Sequence, residues 1–180
     1  MARSVRAFVA VEVPSSQEEG RSSAPEHLTL LFLGEVPSER VGPIGDALAP
    51  VAAAMAPFDL TLEGVGAFPT REHPRVVWVG ATEGATELGE LARRVREALQ
   101  KEGTATPEET FVPHLTLFRV RSAFDRRRAE DVLAGRVPPP TPRRLRVGEF
   151  VLKESVLSSR GATHHVVATF LLRGPRDGTS

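Results

Sequence analysis

Apolar runs with the period of a strand and apolar stripes with the period of a helix take turns along this chain. Residues 6–13 are mostly β-branched or aromatic and stop at Pro14, which predicts a strand. Residues 14–25, rich in Ser and Gly, predict a polar loop. A second strand is expected from His27 through Leu33, ending at Gly34. After Ser38, residues Val41, Ile44, Leu48, Val51 and Met55 recur at helical spacing, with Pro43 and Pro50 predicting a kinked or broken helix. Residues 58–65 alternate as a strand. The second half repeats this order. It has a strand over 75–80, then a helix striped by Leu88, Leu91, Val95 and Leu99, capped by Thr86 and closed at Gly103. Next come a strand from His114 and a helix from Ser122 to Gly135. Beyond the prolines at 138–140, strands are expected over 145–153 and 165–172, and the tail from Gly174 reads as disordered.

The halves share more than an order of elements, because His27-Leu28-Thr29-Leu30 recurs as His114-Leu115-Thr116-Leu117. With 18 Leu and 13 Thr in 180 residues, two such runs after five His arise by chance on the order of once in 10⁵. In a strand, His and Thr at i and i+2 share one face while both Leu residues point into a core. Each segment therefore presents an imidazole beside a hydroxyl. A repeated order of elements around a repeated motif is what a pseudo-twofold, bilobal fold leaves, with the two His in a groove between the lobes.

Composition narrows the chemistry. The 41% apolar content supports a sizeable core for one domain or two lobes sharing an interface. Lys and Arg number 23 and so do Asp and Glu, so any contact with nucleic acid must be local. The absence of Cys removes disulfides, thiolate metal sites and a cysteine nucleophile, and fits a cytoplasmic setting. No apolar run approaches the roughly 18 residues needed to span a bilayer.

Two imidazoles across a cleft offer a general base and a general acid, since an ordinary pKa near 6.5 lets one be neutral while the other is protonated. Thr29 and Thr116 beside them suit phosphate oxygens. The set fits in-line displacement at phosphorus, with no metal and no cofactor required. Zinc is disfavoured because only two of the five His fall in the motifs, with no Asp, Glu or Cys at ligand spacing.

These residues resemble the two-histidine phosphoesterases, specifically the bacterial and archaeal RNA 2',3'-cyclic phosphodiesterases, also called 2'-5' RNA ligases. Both His-x-Thr-x motifs carry the likeness, with the opening strand to Pro14, Phe32-Leu-Gly-Glu-Val36, Gly66-Ala-Phe-Pro69, Pro74-Arg-Val-Val-Trp-Val-Gly80 and Phe111-Val-Pro-His114. The resemblance implies an α+β fold of two lobes over residues 1–173, each a small antiparallel sheet with helices on its outer face, around a central cleft. It also implies hydrolysis of RNA 2',3'-cyclic phosphate ends to 2'-phosphomonoesters, with reversible 2'-5' ligation as a side activity. By that likeness His27 is the proton donor, His114 the proton acceptor, and Thr29, Thr116 and Arg119 hold the phosphate. Strict alternation would turn Arg119 away from His114, so its role requires a strand end or a bulge. The chain departs from the family between the opening strand and the first motif, where a loop replaces the usual helix and short strand. That shortens the first lobe and raises dimerisation as an alternative to a monomer.

Other residues carry weaker signals. Phe118 is expected on the His114 face, where it could stack on a nucleobase. Trp78 reads as core. His73, His164 and His165 read as surface residues. The basic runs Arg126–Arg128 and Arg143, Arg144, Arg146 read as solvated faces or RNA contacts. Two rivals to the RNA phosphodiesterase are a non-catalytic nucleotide- or RNA-binding module on the same scaffold and a phosphodiesterase for a small cyclic nucleotide.

Overall fold

A computed structural model describes residues 3–14 and 26–175. The loop expected over 14–25 falls, beyond Pro14, outside the described residues, as do residues 176–180. Among the described residues, eight strands and three α-helices follow in the order β1 (Ser4–Val13), β2 (Glu26–Pro37), α1 (Val41–Ala54), β3 (Phe58–Pro69), β4 (Pro74–Ala81), α2 (Ala85–Glu102), β5 (His114–Arg119), α3 (Ala123–Leu133), β6 (Arg143–Val147), β7 (Glu149–Ser158) and β8 (Gly161–Leu171). They form two antiparallel four-stranded sheets, ordered β2-β1-β7-β8 and β5-β4-β3-β6. This is the α+β, two-sheet arrangement expected.

The sequence reading differs from the structure chiefly after Pro140. One strand was expected over 145–153, but the chain pairs β6 with β3 in the second sheet and β7 with β1 in the first. Only Gly148 separates them. Periodicity reports which faces are apolar and cannot report that the partner sheet changes within an apolar run. The helix after Ser38 is also less disturbed than its prolines suggest. A 3₁₀ turn at Ser38–Arg40 leads into α1, which continues through Pro50. Pro43 lies in the first turn, where its missing N–H has no intrahelical partner to lose.

α2 starts a residue earlier than its expected cap. Gly84 precedes it at φ 77°, and a Cβ there would collide with the carbonyl oxygen of Asp59, so glycine is required. Thr86 is therefore inside the first turn. α3 follows the sequence closely: Ser122 accepts from the Asp125 N–H while Asp125 accepts from the Ser122 N–H, a capping box.

One continuous core joins both sheets. Val9 and Val11 of β1, Leu28 and Leu30 of β2, Ile44 and Leu48 of α1, Leu91 and Val95 of α2, and Leu60, Leu62 and Leu115 of the second sheet pack together. Each fully buried Leu, Val or Ile stabilises by roughly 1.5–3 kcal/mol relative to exposure. The last described residues join this core through Leu172. Gly174, expected to be disordered, donates its N–H to the Met55 carbonyl at 2.8 Å. Among the described residues no helix is long and apolar enough to cross a membrane.

Candidate active site

The motif strands β2 and β5 are edge strands of their sheets and lie beside one another. Leu28 and Leu115 are buried, at 0% and 1% exposure. Strand alternation then turns His27 and Thr29, and His114 and Thr116, to the opposite face. All four line a single cavity of about 550 Å³. The two tetrapeptides, far apart in sequence, thus contribute to one concave site.

Arg119 also lines this cavity, through the irregularity its role required. Trp78 stands opposite Thr116 while Val77 stands opposite Phe118, which leaves an extra residue, Leu117, on β5. A bulge of this kind shifts the alternation by one position. Arg119 therefore returns to the His114 face, opposite Val76, which lines the cavity too. The same shift removes Phe118 from that face, contrary to expectation. Phe118 packs beside Val77, Ala129 and Val132, with the Arg128 guanidinium 4.2 Å from its ring centroid. A nucleobase in the cavity has no Phe118 to stack on.

Identical motifs acquire different surroundings. The His114 Nδ1 lies 2.7 Å from the Val112 carbonyl oxygen. A carbonyl only accepts, so Nδ1 carries the hydrogen and donates it, leaving Nε2 with the lone pair in the neutral ring. Phe68 meets the ring edge-on at 4.9 Å between centroids, and Trp78 lies at 6.1 Å. The Trp78 indole in turn lies over Gly66, where a Cβ would collide with it. Trp78 therefore braces the site rather than filling the main core.

His27 sits between Phe8, at 5.0 Å, and the edge of His164, at 5.1 Å. Burial lowers its pKa from 6.5 to about 4, assisted by the positive charges of His164 and Lys153 and opposed by Glu12. Lys153 is 3% exposed and pairs with Glu12 at 2.6 Å. The sequence reading missed His164, because nothing local says that the β7–β8 hairpin delivers it to the cavity. It had a signal for the ion pair, since Glu12 interrupts one apolar strand and Lys153 another. Phe32, 48% exposed on the cavity wall and 5.5 Å from Phe8, was likewise not singled out as a site residue. Among the described residues no group of three His, Asp or Glu is placed to hold a metal ion.

The 2'-5' RNA ligase superfamily profile matches residues 3–155. An Archaeoglobus fulgidus protein named RNA 2',3'-cyclic phosphodiesterase is 35% identical, over 92% of this chain and 99% of its own length. A Thermus thermophilus protein of the same name is 39% identical, over 82% of this chain and 72% of its own. The crystal structure of Thermus thermophilus TT0787 superposes with a TM-score of 0.73 at 28% identity, covering 95% of this chain and 100% of that one. E. coli LigT complexed with 3'-AMP gives 0.66 at 27%, covering 94% and 99%. With the profile covering most of the chain and the fold shared end to end, this protein belongs to the 2'-5' RNA ligase superfamily.

Proposed function

We propose that this protein hydrolyses RNA 2',3'-cyclic phosphate ends to 2'-phosphomonoesters by general acid–base catalysis between His114 and His27. The observation that carries this reading is the shared cavity, in which an imidazole–hydroxyl pair from each sheet faces the same space. The names of the related phosphodiesterases support the substrate class.

In the proposed reaction His114 Nε2 removes a proton from water, whose oxygen attacks phosphorus in line with the 3'-oxygen. The bond from phosphorus to the 3'-oxygen breaks, and His27 gives its proton to that oxygen. The products are a 2'-phosphate and a 3'-hydroxyl. Thr29, Thr116 and Arg119 bind the phosphate oxygens, Arg119 as a positive charge. An RNA 5'-hydroxyl in place of the water gives a 2'-5' linkage by the same steps.

The low pKa of His27 fits this role only with substrate bound. Its protein neighbours alone keep the ring neutral near pH 7. A phosphate anion against it favours the imidazolium, so the acid is loaded as the substrate arrives. The test is incubation of the purified protein with an oligoribonucleotide ending in 2',3'-cyclic phosphate, with EDTA, followed by chromatographic separation of the 2'- and 3'-phosphate isomers against standards. A 2'-phosphate product, lost in both His27→Ala and His114→Ala, is expected. Binding without turnover, or turnover that survives both substitutions, overturns the proposal.

A further inference from the structure

Six arginines, Arg75, Arg119, Arg121, Arg126, Arg127 and Arg128, are exposed, and none forms an ion pair among the described residues. The other basic run behaves differently. Arg143, Arg144 and Arg146 are partnered by Glu26, Glu83 and Asp59. Asp125 is the carboxylate among them, and its Oδ2 accepts from the Arg121 and Ser122 N–H groups and the Ser122 hydroxyl; in a chain whose charges balance overall, a set of arginines that outnumbers its carboxylates is a local feature that favours an anion.

The six are also contiguous. Arg119 lines the cavity. Immediately beyond it Val120 donates its N–H to the Arg75 carbonyl at 2.9 Å, which holds the segment carrying Arg121 beside Arg75. Ser122 then caps α3, whose second turn begins with Arg126, Arg127 and Arg128. Arg128 returns to β5 by lying over Phe118. A basic ridge therefore leaves the cavity at Arg119, passes the end of β5 and reaches α3.

Phe124 adds a different kind of signal. It is 75% exposed, the most exposed of the large apolar side chains described, and on α3 it shares a face with Arg127 and Arg128, three and four residues on. An exposed aromatic contributes nothing to a core. Aromatics interleaved with arginines suit a single-stranded nucleic acid, whose bases stack while its phosphates pair with guanidinium groups.

We infer that this ridge is the track for the RNA strand leading to the reactive end, with Phe124 as a stacking platform and Arg121 and Arg127 as phosphate contacts. The inference rests on the proposed function in that the reactive end occupies the cavity beside Arg119. It adds a length preference: an RNA of several nucleotides is a better substrate than a cyclic mononucleotide, which cannot reach past Arg119.

Two measurements on the full chain separate this inference from the proposed function. Fluorescence anisotropy with a labelled dodecaribonucleotide ending in a 3'-phosphate reports binding without turnover. Kinetics on a 2',3'-cyclic mononucleotide and on a cyclic-ended dodecamer report how catalysis depends on length. The double variant Arg121→Gln, Arg127→Gln is expected to weaken dodecamer binding at least fivefold. It should also lower the slope of log Kd against log salt by about 1.4, roughly 0.7 for each lost phosphate contact. Phe124→Ala is expected to weaken binding by about 5- to 100-fold with the salt slope unchanged. The preference for the dodecamer over the mononucleotide in kcat/KM should shrink in both variants. Wild-type dodecamer binding in both overturns the ridge, as does an equal loss on the two substrates. A wild-type protein that binds the dodecamer through these residues but turns over neither substrate overturns the proposed function and leaves the ridge standing.

Discussion

Replacing His164 by Gln tests how the cavity sets the protonation of His27. The two rings are 5.1 Å apart between centroids and meet edge-on at 81°. Two unit charges at that separation repel by roughly 3 kcal/mol at an effective dielectric of ~20. His164 is exposed, so solvent screens much of this, leaving about 1 kcal/mol, or a five- to tenfold change in proton affinity. His164 itself titrates below the usual histidine value, through partial burial and the charges of Lys153 and His165. The first proton to enter the pair therefore goes to the more exposed His164, and His27 takes the second only near pH 4. In His164→Gln, His27 is expected to bind its proton five- to tenfold more tightly than in the unaltered protein, yet still to titrate below 6.5 because burial against Phe8 remains. Proton-detected NMR of the histidine ring resonances between pH 3.5 and 8, assigned with His27→Gln, reads this directly. Stability should move with it. The unfolded chain takes up the proton near 6.5 and the folded chain only near 4, so the unfolded state binds more protons in between. Stability that is complete above pH 6.5 is lost on acidification towards 4, by at most about 3 kcal/mol, and the variant should lose less. A His27 midpoint that stays put or falls in His164→Gln refutes the coupling, and one near 6.5 in the unaltered protein refutes the burial that underlies it.

Other consequences are equally direct. His27→Ala and His114→Ala should each lower kcat by roughly 10²- to 10⁴-fold, with EDTA changing nothing, as steady-state kinetics on a cyclic-ended oligonucleotide will report. Phe118→Ala should cost about 3 kcal/mol or more of stability in urea unfolding while leaving KM unchanged, because its ring packs under α3; a raised KM at unchanged stability would contradict the bulge at Leu117. Lys153→Met should cost about 3–5 kcal/mol by stranding the Glu12 carboxylate, and the double variant with Glu12→Gln should recover much of that in the same unfolding assay.

Much of the fold was legible because its strands and helices stripe cleanly. The two His-Leu-Thr-Leu segments announced both a site and the strand faces that build it, since Leu28 and Leu115 must turn inward for the histidines to turn out. What stayed hidden depends on long-range pairing. The switch of sheets at Gly148 leaves no mark in a run that is apolar on both sides. His164 reaches His27 only because β8 pairs with β7 and β7 with β1, two registers away from any local pattern. The Leu117 bulge is the intermediate case. Alternation showed that Arg119 needed one, yet it gave no ground for seeing that the same bulge would carry Phe118 to the opposite face.

The flanking residues also suit one tetrapeptide to the two chemical roles proposed for it. A base needs a free lone pair of fixed direction. His114 has this because the Val112 carbonyl holds its Nδ1 hydrogen, and the segment carrying Val112 is positioned from outside β5: Arg96 of α2 donates to the carbonyls of Pro107 and Glu109 just upstream. An acid instead needs a proton that is weakly held, so that it leaves readily once the transition state calls for it. His27 meets that need through Phe8, His164 and Lys153, which lie on β1, β8 and β7. Of these only Phe8 has a counterpart at His114, where Phe68 and Trp78 supply aromatic walls and nothing matches His164 or Lys153. A repeated motif supplies two imidazoles, and the proposed division into donor and acceptor needs unequal surroundings. Transplanting the environment should therefore do more damage than exchanging similar residues: placing a Lys at Trp78, beside His114, should lower the affinity of that ring for the proton it must accept and depress kcat at neutral pH, with recovery as the pH is raised towards the pKa of the introduced amine.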